Sequence, residues 1–187
     1  MEGKIVYFDE PGRQNTDEVL RLAKLRAKEL GIKSILVAST TGDTAVKAVK
    51  VFKGARVVAV SHFTGMMKPN TQEFTEENRQ KVLSAGGTVF TATHVFSGLG
   101  RAMRKKFKMY LFEEVAANTL RLFGQGMKVV CEITLMAADA GLVRTDEDII
   151  VIGGTGRGAD TAVVLRPVNS EDFFDLKVRE ILCKPLY

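Results

Sequence analysis

The chain contains no tryptophan, two cysteines, two histidines and four prolines in 187 residues. Each scarcity removes a class of explanation. Cys131 and Cys183 are far apart and have no metal-ligand spacing, so a zinc site or a disulfide framework has nothing to draw on. They read as small buried apolar groups, and no metal is expected. No run approaches the ~18 consecutive apolar residues of a membrane span. The opening MEGKIVYFDEPG lacks the basic-then-apolar order of a secretory leader, so a cytoplasmic, membrane-free protein is expected. No nucleic-acid-binding motif is present. The densest basic run, RAMRKKFK (Arg101, Arg104, Lys105, Lys106 and Lys108), reads as a solvated face, and nucleic acid is not an expected partner. What the chain does have is a 45% hydrophobic composition, enough for one core, and a net charge of +5 that mildly favours anionic ligands. Residues 1–187 are read as a single domain.

Seven segments have strand character: KIVYF (4–8), SILVAS (34–39), RVVAVSH (56–62), TVFTATH (88–94), DIIVIG (148–153), TAVVLRP (161–167) and KVREILC (177–183). The unbroken runs ILVA, VVAV and IIVI suit strands covered on both faces, as in a parallel sheet between helices. TVFTATH is more mixed, which suits an edge. Between the strands lie helical patterns. NTDEVLRLAKLRAKELG carries a stripe of Val19, Leu22, Ala23, Ala27 and Leu30, opens with Asn15 and Glu18 at capping-box spacing and closes on Gly31. GDTAVKAVKVFKG, TEENRQKVLSAGG, MYLFEEVAANTLRLFG and MKVVCEITLMAADAG follow. Met103, Met127 and Met136 are expected in the core. This alternation predicts a three-layer α/β/α sandwich. Only GTGRGAD joins DIIVIG to TAVVLRP, too short for a parallel crossover, so that pair is expected as an antiparallel hairpin and the sheet as mixed.

In open α/β sheets ligands gather beyond the carboxyl ends of the parallel strands. There this chain offers DEPGRQNT with Asn15 and Thr16, STTGDT, SHFTG, THVFSG and GGTGRGADT. STTGDT sets Ser39, Thr40, Thr41, Gly42 and Thr44 at a helix start, where backbone N–H groups and the helix dipole favour phosphate. A single hydroxyl suffices for a cap, and four point to an anion site. Gly154-Thr155-Gly156-Arg157-Gly158-Ala159 has the letters of a dinucleotide fingerprint, but a β-branched strand follows instead of a helix, so that reading fails. No Walker A sequence occurs. The loop is either a glycine-rich turn or a ligand loop carrying Arg157, Asp160 and Thr161. Both histidines sit in echoing settings, Ser61-His62-Phe63-Thr64-Gly65 and Thr93-His94-Val95-Phe96-Ser97-Gly98. His62, Thr64 and His94 are therefore candidate ligand contacts. Without a nucleophile elbow no triad is expected, and the catalytic residues are unknown. Glu132 and Asp139 are acids in an apolar helical stretch, where burial demands hydrogen bonding or a functional role.

SILVASTTGDTAVKAVKVFKGARVVAVSH resembles the start of the pyruvate kinase C-terminal domain, and DIIVIGGTGRGADTAVVLRP its closing hairpin. Nearly the full length is similar to a small stand-alone archaeal-type family of that fold, whose phrases occur here as NTDEVL, ASTTGDTA, EITLMAADAGL, GGTGRGADTA and FFDLKVREIL. The resemblance implies a mixed five-stranded core of order 3-2-1-4-5 with strand five antiparallel, leaving KIVYF and KVREILC unplaced. It implies a phosphate-bearing ligand on Ser39–Thr44. It also implies bound flavin mononucleotide (FMN) as cofactor, its ring near His62, His94 and Gly154–Arg157, and a homo-oligomer. With no room for a (β/α)₈ barrel of ~250 residues, the chain alone is not expected to be a pyruvate kinase. A flavin-dependent oxidoreductase, a sensor of sugar phosphate or nucleotide without chemistry, and an assembly domain all stay open.

Overall fold

The computed structural model describes residues 3–186. Seven strands form one sheet: β1 (Val6–Phe8), β2 (Ser34–Ala38), β3 (Arg56–Ser61), β4 (Thr88–Thr91), β5 (Ile149–Gly153), β6 (Thr161–Arg166) and β7 (Lys177–Pro185), in the order β1-β7-β6-β5-β2-β3-β4. β6 alone runs against the others, antiparallel to both β5 and β7. The segment β4-β3-β2-β5-β6 is the expected five-stranded core, with TVFTATH at the edge. KIVYF and KVREILC extend it: β7 pairs with β6, and β1 with β7 in parallel.

Helices α1 (Thr16–Leu30), α2 (Asp43–Val51) and α3 (Glu76–Ser84) cover one face. Helices α5 (Phe112–Arg121) and α6 (Gln125–Asp139) cover the other. Alternate strand residues feed the two cores. Ile35, Val37, Ile150 and Ile152 face α1 and α2, whereas Leu36, Ile149 and Val151 face α6. Each fully buried aliphatic side chain contributes about 1.5–3 kcal/mol, and the middles of the central strands are apolar throughout. Both cysteines lie within these cores, and burial pushes each thiol up to about 12. No helix among the described residues is long and apolar enough to cross a membrane.

Several expectations need correction. Asn15 does not cap α1; its amide donates to the Glu10 carbonyl at 2.7 Å. RAMRKKFK is solvated at Lys105, Lys106 and Lys108, as expected, but Arg101 and Arg104 line a cavity from a helix, α4 (Gly98–Phe107), that was not anticipated. Met127 and Met136 are core residues, but Met103, on α4, is not. Asp139 faces no crevice and instead accepts the Ser170 N–H at 2.9 Å and the Asn169 amide at 3.1 Å.

One buried acid fixes the carboxyl edge of the sheet. Asp160 is fully buried. Its Oδ2 accepts the N–H of Gly12 and of Thr155, each at 3.0 Å, and its Oδ1 accepts the Thr161 hydroxyl at 2.8 Å. The loop after β1 is thereby tied to the β5–β6 loop. Thr16 adds a second tie, accepting the Ala159 N–H at 3.0 Å. Gly158 makes the approach possible: its φ is +76°, and a Cβ there would lie 2.4 Å from the Arg13 Cα. Asp160→Ala should therefore lower stability in urea titration by about 3 kcal/mol or more, since buried donors lose a charged acceptor. A change under ~0.5 kcal/mol, the size of an ordinary surface substitution, would rule out this clamp.

Candidate functional site

The chain reverses direction across the sheet between β2 and β5: β2 leads outward to β3 and β4, and the return lands β5 on the other side of β2. At such a switch point the loops diverge and leave a crevice. Here it holds two adjoining cavities that share Ala38, Ser39, Thr40, His62, Met66, Gln125 and Val129. The outer lobe measures about 640 Å³ and the inner about 320 Å³. The larger is within the range of small-molecule and cofactor sites, roughly 300–1,000 Å³.

The outer lobe is walled by Thr16, Ser39, Thr40, Thr41 and Thr44, with Gly154, Gly156 and Arg157 opposite. The Ser39 hydroxyl accepts the Ala45 N–H at 3.2 Å, so the first residue of the loop caps α2 from outside the usual position. The first α2 turn closes with Val46 N–H on the Gly42 carbonyl at 2.9 Å. The Asp43 and Thr44 amides precede that bond and stand at the lobe's wall. Thr41 donates to the Asp43 carboxylate at 2.9 Å, and Asn78 donates to it at 3.0 Å. Gly42 does not line the lobe. With φ at +99°, its missing Cβ leaves room for Phe74 and Asn78, which a side chain would meet at 2.7 and 2.5 Å.

Three cations border the outer lobe: Arg13, Lys47 and Arg157. Lys47 reaches Asp17 at 2.6 Å and Arg157 lies 3.6 Å from half-buried Glu73; both cations are themselves exposed and are held weakly. Glu73 also meets His62 Nδ1 at 2.7 Å. The ring of His62 stands edge-on to His94, with centroids 5.6 Å apart.

The inner lobe lies under α4 and α5. His94 and Glu132 are both buried there. Glu132 accepts the Phe96 N–H at 3.1 Å and a hydrogen bond from buried Lys128, and His94 Nδ1 lies 3.7 Å away. His94 Nε2 lies 3.4 Å from the Ser61 carbonyl. Burial holds both His94 and Lys128 below their ordinary pKa values, outweighing Glu132, which acts the other way. Arg101, Arg104, Glu114 and Arg121 complete the walls.

The structure thus gathers Thr16, Ser39, Thr40, Thr41, Thr44, His62, Gly154, Gly156 and Arg157 at the outer lobe and His94 at the inner. Asn15, Gly42, Thr64, Thr155, Asp160 and Thr161 line neither; Asp160 and Thr161 are spent on the clamp and Thr64 is exposed. Sequence reasoning missed Arg13, Lys47 and the inner-lobe cations. A usable signal existed for one: Lys128 and Glu132 stand four apart, a salt-bridge spacing inside an otherwise apolar run.

A mixed α/β/α layer with its crevice at the switch point defines the class of the fold, an open α/β domain. The family model for the pyruvate kinase alpha/beta domain matches residues 17–165, and the chain belongs to that family. Two solved pyruvate kinases of Cryptosporidium parvum are similar at 14% identity, with TM-scores of 0.43 and 0.40. Each match covers 82% of this chain but only 23% and 22% of those chains, so this chain spans under a quarter of their length.

Protonation of His94 is resisted in the folded state, so below its ordinary 6.5 the unfolded chain takes up the proton first and stability falls with falling pH. His94→Gln should remove that component. Denaturant titrations between pH ~7.5 and ~5 should show a shallower loss for the variant. Parallel curves would contradict the assignment.

Proposed function

We propose that the outer lobe binds FMN by its phosphate and that the protein is a flavin-dependent oxidoreductase, this chain not being a pyruvate kinase by itself. The observation that carries this reading is the convergence on one cavity of the Thr40 and Thr44 hydroxyls, the α2 N-terminus and the cations Arg13, Lys47 and Arg157. A helix start with hydroxyl donors favours a phosphate, and flanking cations add to its field. Met66, Ala38 and Val129 supply an apolar wall where the outer lobe opens into the inner, which suits a flat ring. The donor set and the volume therefore fit the cofactor. Bound flavin supplies electron or hydride transfer. The chain's part is to anchor the phosphate through Thr44 and α2, and to hold His62, steadied by Glu73, beside the shared wall.

The partner in this reading is a small phosphate-bearing molecule. Self-association is proposed as well, through the exposed apolar side chains of α5, Phe112, Val115 and Leu122, the last in the loop just after it; light scattering should return a mass above one chain's 20.5 kDa.

The phosphate anchor is tested by titrating FMN and riboflavin and following flavin fluorescence. FMN should bind about 100-fold tighter, the worth of roughly two charge-assisted hydrogen bonds. Thr44→Val with Lys47→Ala should remove about tenfold of that advantage and leave riboflavin unaffected. Equal affinity for the two flavins, or binding of neither, would overturn the proposal. Binding of a sugar phosphate without flavin would instead make the lobe a sensor site.

A further inference from the structure

We infer that the inner lobe is a second, separate subsite, built for a small dianionic hydroxycarboxylic acid. Four cations, Arg101, Arg104, Arg121 and Lys128, face it against two carboxylates, Glu114 and Glu132. The lobe therefore has an excess of two formal positive charges. Most of its members already have partners. Lys128 and the Phe96 amide occupy Glu132. Arg104 Nε lies 3.1 Å from Glu114 Oε1. Arg121 donates to Gln125 at 2.7 Å and to Asn118 at 2.8 Å, which fixes its guanidinium.

Two groups are left over. Arg101 forms no ion pair among the described residues, and its Nε is buried without an acceptor. Glu114, only 8% exposed, has its Oε2 buried without a donor. Buried polar atoms in folded proteins nearly always have partners, and leaving them unmade is costly. Both side chains line the lobe, where an oxyanion would answer the Arg101 guanidinium and a hydroxyl on the same molecule the Glu114 carboxylate. Two negative charges match the excess. A cavity of about 320 Å³ lies at the small end of ligand sites, which favours a compact acid over a nucleotide. The position matters as much as the charge: the inner lobe shares His62, Met66 and Val129 with the outer, so an acid held there lies beside whatever the outer lobe binds. The basic helix α4 has its reason here, since Arg101 and Arg104 are one turn apart on the face that roofs the cavity.

Calorimetric titration of the full chain with malate, succinate and inorganic phosphate tests this. Malate should bind, and more tightly than succinate, which lacks the hydroxyl. Arg101→Gln should weaken both by about tenfold or more, the loss of one charge-assisted hydrogen bond. Arg101→Lys, which keeps the charge, should recover part of it and serves as a folding control. Glu114→Gln should narrow the gap between malate and succinate. The outer-lobe variant Thr44→Val should leave malate binding unchanged. Failure of both acids to bind, equal binding to Arg101→Gln, or preference for inorganic phosphate would overturn the inference. If Arg101→Gln lowers only the melting temperature, Arg101 and Glu114 simply pack α4 onto α5. Because flavin and malate are titrated separately, malate can bind where FMN does not, and the two readings fail independently.

Discussion

The buried carboxylate of Asp160 is the constraint on which the site depends. It draws the loop after β1 and the β5–β6 loop onto one point, through two backbone N–H groups and one hydroxyl. A charged acceptor with three donors is stable in a dry interior only when its bonds are made, so the clamp closes as a unit or not at all. Arg13 and Thr16 stand on one side of it and Gly156 and Arg157 on the other. The two strands outside the five-stranded core therefore have a functional consequence: β7 carries β1 at the sheet margin, and β1 delivers Arg13 to the crevice.

The two lobes differ in how they handle charge. The outer lobe is bordered by exposed cations whose surface ion pairs are weak, so their charge is available to an arriving anion. The inner lobe holds a compact network in which Glu132 offsets Lys128, with His94 kept neutral by burial. Removing one member leaves an unpaired buried charge, so the network behaves as rigid furniture at the floor of the cavity. Between the lobes runs an apolar and imidazole strip, Ala38, Met66, Val129 and His62. An anchor at one end and a charged pocket at the other, joined by such a strip, suits two ligands in contact better than one.

Much of the fold was legible because its signals are local. The runs ILVA and IIVI could only be strands covered on both faces, and the short GTGRGAD link forced the antiparallel turn that β5 and β6 make. The outer lobe was legible for the same reason: four of its hydroxyls crowd one loop. Other features depend on partners distant in sequence. Asn15 has the letters of a cap but bonds to Glu10. Asp160 resembled a ligand residue, yet its partners include Gly12, 148 residues away. Of the glycines read as ligand-facing, Gly154 and Gly156 do line the outer lobe, whereas Gly42 makes room for Phe74 and Asn78. Helix α4 was overlooked because its basic run was read as surface, although Leu99, Met103 and Phe107 recur four apart along it, and its arginines gain meaning only beside Glu114 on the next helix.

The central claim is that the switch-point crevice is anchored on the first turn of α2. Backbone amide chemical shifts of isotopically labelled protein, recorded as FMN is added, address it most directly. The account predicts the largest changes at Thr41 to Thr44 and at Gly154 to Gly158, with smaller ones at Met66 and Val129. Saturable binding whose shift changes avoid α2 and the β5–β6 loop would contradict it, because the phosphate would then lie elsewhere on the protein.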